Sequence, residues 1–351
     1  MVLLLAALPL VWVVWRARHA TSEARRRALT LATLFLTFDL IVLGTFTRLT
    51  DSGLGCPDWP GCYGQASPLG AAHSIAQAQA QMPDGPVTVS KAWIEMVHRY
   101  LASTVGALIL VLALWEWAQR RRARRTADWW PWMTVAWVAL QGAFGAWTVT
   151  WKLQPAIVSL HLLGGVVLLA LLSVQWQKLS AVVAHAAEVS LPKGATVFTL
   201  ALLMLQVTLG AWVSTNYAVL ACSDFPTCQG SWWPEMDFGH GFTLWRDLGV
   251  TADGAPLPFA ALTAIHLTHR AGAVLVALAL GMVVVRGWRS PATRRWSMVI
   301  GCLATVQIAS GIANVLLGWP LLVALMHSAG AAALVVMLAV QLVPARVRVS
   351  Q

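Results

Sequence analysis

The chain has 351 residues, of which 58% are hydrophobic and 11% charged, with 24 Lys and Arg against 14 Asp and Glu for a formal net charge of +10. So few charges and so many apolar runs exclude a soluble globular domain. Because the basic residues cluster between those runs, the positive charge points to topology and anionic lipid, with no nucleic acid as partner.

Apolar runs fall at 1–15, 29–47, 92–118, 130–150, 156–177, 195–215, 260–285, 296–317 and 320–343. A bilayer takes about 20 apolar residues per helix and leaves no backbone group unsatisfied, so these runs predict an all-α polytopic membrane protein. The first run is short for a span. It has the look of a signal peptide's apolar region, but no basic segment precedes it and no small-residue cleavage site follows Trp15, so it reads as a retained extra N-terminal helix.

Arginines follow the first run (Arg16, Arg18, Arg25 to Arg27) and the third (Arg120 to Arg122, Arg124, Arg125). Lys178 and Lys193 flank the fifth connection, Arg286, Arg289, Arg294 and Arg295 fill the seventh, and Arg346 and Arg348 close the chain. These are 18 of the 24 basic residues, all in alternate connections, which the positive-inside rule makes cytoplasmic. Residues 50–91 and 215–259 then lie on the other side. They are poor in Lys and Arg and contain four of the five cysteines.

Those cysteines are Cys56 and Cys62, then Cys222 and Cys228, each pair separated by five residues. An oxidising compartment makes a disulfide in each loop the expected state, and no His stands at ligand spacing to suggest a metal. Redox-active disulfides remain the alternative. Cys302, inside an apolar run, reads as a small buried residue.

The architecture emerges from repeats. Leu43-Gly44 recurs as Leu209-Gly210, Cys56 and Cys62 as Cys222 and Cys228, Gln141 as Gln307, Gly145 as Gly311 and His161 as His327, always 166 residues on. His98-Arg99 recurs as His269-Arg270 at 171, because the second outer loop is five residues longer and the next segment five shorter. Two tandem four-helix transmembrane bundles related by internal duplication are therefore expected. They occupy residues 28–178 and 194–343, preceded by an apolar helix and basic linker at 1–27, joined by a linker at 179–193 and followed by a tail at 344–351.

Each half carries one His early in its second helix (His98, His269) and one early in its fourth (His161, His327), and all four helices enter from the cysteine-loop side. A single intramembrane His is usually a hydrogen-bonded packing residue. Two facing imidazoles per bundle, twice, are the arrangement in which bundles hold haem iron. Zinc or a di-iron centre would want more donors, and the second half has no Glu-x-x-His. Arg99 and Arg270 suit haem propionates, with helix-end snorkelling an equal reading. Small residues after the histidines, Ser103 and Gly106, Gly164 and Gly165, Ala271 and Gly272, would admit a flat macrocycle or simply close helix packing.

The halves differ three residues before the ligand: Glu95 in the first, His266 in the second. A carboxylate with no evident fixed partner at low dielectric can exchange protons near neutral pH, which assigns catalysis to the first half and electron handling to the second. For His266 a propionate partner, a proton relay and an alternative ligand all stay open.

The run Gly44-Thr45-Phe46-Thr47-Arg48-Leu49-Thr50-Asp51-Ser52-Gly53-Leu54 leading into Cys56-Pro57-Asp58-Trp59-Pro60-Gly61-Cys62, with Glu95-Met96-Val97-His98-Arg99, His161-Leu162, His269-Arg270 and His327, resembles the haem A synthase family over residues 28 to 343. The resemblance implies oxidation of the C8 methyl of haem O to a formyl group for a terminal oxidase. His98 and His161 would carry the substrate haem O, His269 and His327 the iron of haem b, and Glu95 would be catalytic. Arg48 and Trp59 match positions near the substrate. It also implies a bacterial inner membrane with the cysteine loops outside, a haem O synthase as donor, and a quinone or other electron acceptor. A homo-oligomer stays open. The run at 1–15 and His266 depart from the family pattern. Two other classes compete: a quinol-oxidising cytochrome b with two bis-His haems, which would want them on opposite sides of the membrane, and a haem transporter or chaperone, for which Glu95 would be dispensable.

Overall fold

A computed structural model describes residues 20–124, 126, 128–180 and 191–343, together with Val11, Trp15 and Arg18. The expected helix at 1–15 therefore lies, but for Val11 and Trp15, outside the described residues. Ten α-helices are present among the described residues, and no strand. Eight are long: α1 Ser22–Leu49, α3 Val89–Arg122, α4 Trp130–Thr150, α5 Pro155–Ser180, α6 Lys193–Thr215, α8 Phe259–Trp288, α9 Pro291–Leu316 and α10 Leu321–Gln341. Two short ones lie in the cysteine loops, α2 Ala72–Gln81 and α7 Phe238–Gly241. Starts are written in the sequence. Thr21 and Thr88 accept from the backbone N–H of Ala24 and Lys91, and Pro131, Pro155 and Pro291 stand in first turns, where a missing N–H costs nothing.

Seven of the long helices are long and apolar enough to cross a membrane by length and composition. The exception is α4: it has 21 residues and no charge, but Trp130, Trp132, Trp137, Trp147 and Gln141 lower its hydropathy. Tryptophan is amphipathic and at home at the membrane boundary, so α4 still packs as a full member of its bundle. The protein is thus an all-α, multi-pass membrane protein.

Helices α1, α3, α4 and α5 close one ring of neighbours, and α6, α8, α9 and α10 close a second. The rings meet through their fourth helices: α5 packs on α6, α10 on α1, and α5 on α10. Each fourth helix reaches into the other's interior. Val166 of α5 belongs to the cluster built on Leu203, Leu280, Ile300 and Leu334, while Ala332 of α10 joins Leu34, Leu101, Ile109 and Leu169. Between helices in lipid such contacts act through van der Waals fit rather than through expelled water.

The backbone repeats at the same offset of 166. Positive φ occurs at Asp51 and Tyr217, Tyr63 and Gln229, Lys152 and Gly318, and Leu153 and Trp319; cis peptides precede Pro60 and Pro226; bridges pair Cys62 with Gln65 and Cys228 with Ser231. At the seam, residues meet their own counterparts. Arg48 donates to the carbonyl of Ser214 at 2.7 Å and stacks 4.0 Å over the ring of Tyr217, whose hydroxyl donates to Asp51 at 2.6 Å. These contacts place Arg48, Asp51 and Tyr217 at the junction of the two rings. Burial and the Asp51 carboxylate push the Tyr217 phenol above its ordinary range.

At the opposite end Glu116, buried among α3 residues, pairs with Arg26 and Arg120, and Arg120 reaches Asp128 at 3.4 Å. Cys302 corrects an expectation: it is exposed, because its face of α9 points away from the bundle.

Candidate functional site

All four histidines lie in the first two-fifths of helices that start from the cysteine-loop end. His98 is the tenth residue of α3, His161 the seventh of α5, His269 the eleventh of α8 and His327 the seventh of α10. At 1.5 Å per residue that is roughly 10 to 17 Å along the helix. His98 and His161 lie within electrostatic range of one another, as do His269 and His327.

Each ring lies against a glycine of the preceding long helix. A methyl group on Gly44 would stand 3.1 Å from Nε2 of His98, and one on Gly145 3.4 Å from Cε1 of His161. In the second half the same distances to Cε1 are 3.1 Å for Gly210 and His269 and 3.0 Å for Gly311 and His327. Four glycines, two per bundle, stand beside the imidazoles; a side chain would press on the ring at Gly44, Gly210 and Gly311 and just touch it at Gly145. The Gly210 notch also distinguishes the two second-half candidates, since it belongs to His269, in the place His98 has in the first.

His266 is turned elsewhere. It is buried, 4% exposed, with Nδ1 2.9 Å from the carbonyl of Ala218 in the outer loop. Its counterpart Glu95 does the equivalent work. Also 4% exposed, Glu95 accepts from the Cys56 N–H at 2.8 Å and from Arg99 at 2.5 Å. The expectation of a carboxylate without fixed partners is thereby corrected: the loop folds back and supplies a backbone donor that no spacing within α3 reveals.

Arg99 and Arg270 clamp the loops. Arg99 donates to the carbonyls of Asp58, Pro60 and Gly61, and Arg270 to those of Thr227, Cys222 and Asp224, at 2.9, 3.3 and 2.9 Å. Each loop is closed by its disulfide, Cys56–Cys62 and Cys222–Cys228, and by an aspartate: Asp58 accepts from the N–H groups of Tyr63 and Gly64, Asp224 from those of Gln229 and Gly230. The Thr227 hydroxyl donating to Asp224 leads the causes that hold that carboxyl below its ordinary range. Trp59 stands 48% exposed on the first loop, and Arg48 lies at the seam rather than beside a histidine.

Removing the Arg270 guanidinium should therefore act on the loop first. Arg270→Ala leaves three carbonyls without their charged donor, a loss of about 2 kcal/mol or more. A lower melting temperature in detergent and faster proteolysis within 222–230 are the expected readouts.

Two polar residues beside the rings escape a reading based on histidines alone. Gln206 Nε2 lies 2.9 Å from Nδ1 of His269 and 2.9 Å from that residue's carbonyl, and the Ser310 hydroxyl lies 3.0 Å from Nδ1 of His327. Gln307 faces the same ring at 3.3 Å. The first half lacks these bonds: among the described residues His98 has no hydrogen-bond partner, and Nδ1 of His161 is buried without one, leaning only toward the main chain of Gln141. The available signal was a polar residue inside each apolar run.

Among the described residues no cluster of His, Cys, Asp and Glu could hold a bare metal ion. Fold and site thus define a class, the multi-pass helical membrane proteins with two imidazole pairs, one in each of two four-helix bundles. The family model described as COX15-CtaA, cytochrome oxidase assembly protein, matches residues 27–339, and the chain belongs to that family. It is 36% identical over 308 residues to a protein of Shewanella oneidensis named heme A synthase, covering 87% of this chain and 92% of that one. Proteins of the same name from Sphingopyxis alaskensis, 30% identical over 89% of each chain, and Shouchella clausii, 28% identical over 79% and 82%, are further relatives.

Proposed function

We propose that the chain is a haem A synthase, an oxidoreductase that converts the C8 methyl of haem O to a formyl group for assembly of a terminal oxidase. The observation that carries this reading is the paired imidazoles, one pair per bundle toward the cysteine-loop ends of their helices, with a carboxylate beside only the first pair. Imidazoles in apolar surroundings suit haem iron, and the glycine notches and the buried, unpartnered Nδ1 of His161 fit rings arranged for a ligand. A cytochrome with haems near both membrane faces fits this placement poorly.

In this reading residues 28–178 take the substrate and 194–343 the cofactor. His98 and His161 would bind haem O, and His269 and His327 would bind haem b, which when bound would supply an electron outlet; with its oxygen taken from water, methyl-to-formyl oxidation releases four electrons and four protons. Glu95 takes and returns protons at the carboxylate oxygen facing Arg99, which keeps it oriented. Arg99 and Arg270 act chiefly by fixing the loop over each bundle, and Arg48 and Trp59 stand at the outer rim. The loops lie outside a bacterial inner membrane, a haem O synthase delivers the substrate, and a quinone or another acceptor drains the electrons.

Co-expression with a source of haem O, followed by pigment extraction, tests the reading. Haem A should appear only when the chain is present, and a chain that binds haem yet yields none would be a carrier.

A further inference from the structure

We propose that Gln206 and Ser310 are positioning residues that fix the second-bundle imidazoles for a permanently held haem, and that Leu40 and Phe144 leave the first-bundle imidazoles free to release theirs. The inference rests on the division of haems between the halves given above. Subtracting the repeat offset places Leu40 where the second half has Gln206, and Phe144 where it has Ser310. The glutamines one turn before, Gln141 and Gln307, are the same in both halves. The halves therefore differ at these positions in a specific way, not through a general loss of polarity.

Ser310 has one hydroxyl proton and two neighbours. The carbonyl of Gln307, 3.0 Å away, can only accept; with the hydroxyl proton placed there, the Ser310 oxygen accepts from Nδ1–H of His327 at 3.0 Å, and the Gln307 carboxamide, 3.3 Å from the same Nδ1, turns its otherwise unpartnered Oε1 to the ring. An imidazole protonated on Nδ1 presents its lone pair on Nε2, the form that binds a metal. Gln206 touches both Nδ1 and the main-chain carbonyl of His269: the carbonyl anchors the carboxamide beside the ring, and a turn of the ring breaks the contact to Nδ1. Its Oε1 is buried without a partner. In the first bundle Phe144 meets Trp147 edge-on at 5.3 Å and offers His161 nothing to bond, while Leu40 packs with the apolar core. Partners of this kind change metal affinity by about 10- to 100-fold, which serves a resident cofactor and would hinder a product that must leave.

The test uses the full-length protein purified with its haem, in the variants Ser310→Ala, Ser310→Thr and Phe144→Ser. Haem loss to apomyoglobin and the ferrous fraction at fixed potential are the readouts. Ser310→Ala should lose its resident haem about tenfold faster and shift toward ferrous, because an imidazole without its acceptor donates less to iron. Ser310→Thr, which keeps the hydroxyl, should follow the parent protein, and Phe144→Ser should slow loss from the first bundle. Ser310→Ala behaving like the parent, Ser310→Thr failing equally, or Phe144→Ser leaving first-bundle loss unchanged would each overturn the proposal. His327→Ala and His161→Ala in the same assay separate the two levels. If resident haem survives the first and vanishes in the second, the division of the halves is wrong and this inference falls with it. If the division holds and Ser310→Ala has no effect, only this inference falls.

Discussion

Glu95→Gln is expected to retain fold and haem while haem A formation drops by about two to four orders of magnitude, the usual contribution of a positioned acid or base. Glutamine has nearly the same shape and keeps an acceptor for the Cys56 N–H, and the remaining donors of Arg99 stay on the loop carbonyls. What it cannot do is carry a proton. Glu95→Ala removes both functions: it strands a buried N–H and a guanidinium, a loss of about 3 kcal/mol or more, and should lower both thermal stability and activity. The contrast separates a tether from a base. Extracted pigments from a Glu95→Gln strain that match those of the parent would leave Glu95 as a tether and move the base elsewhere.

The second large effect concerns iron. If the proposed assignment holds, His327→Ala or His269→Ala strips haem b from the purified protein, visible as loss of most of its Soret absorbance, because each would remove a ligand to the iron. His161→Ala and His98→Ala should keep that absorbance and instead abolish conversion of haem O. The reverse pattern would exchange the roles of the halves.

Most of the fold was legible because hydrocarbon imposes a simple requirement, and eight runs became eight helices. Their ends were less so. The run at 29–47 became Ser22–Leu49 and that at 296–317 became Pro291–Leu316, because arginines, serines and threonines continue a helix into the interface under a threonine cap or a first-turn proline. Helix α2 was missed: it is polar, with Ile75 its one buried residue, and only its alanines and glutamines hint at a helix. At the site, the repeat exposed the four histidines through identities at one offset. The Glu95–Arg99 pair, four residues apart on one helix, was within reach of spacing alone. The loop partners of Glu95, Arg99, Arg270 and His266 stayed hidden because they are main-chain groups 38 to 48 residues away, and a backbone N–H or carbonyl leaves no mark in a sequence.

The crossing of α5 and α10, with Val166 in one interior and Ala332 in the other, bears on how any variant is interpreted. Because each bundle packs partly on a helix of the other, damage to the scaffold is expected to weaken both proposed haem sites together. A variant that loses one and keeps the other has lost a ligand and not its shape. Each site thereby serves as an internal standard for its twin.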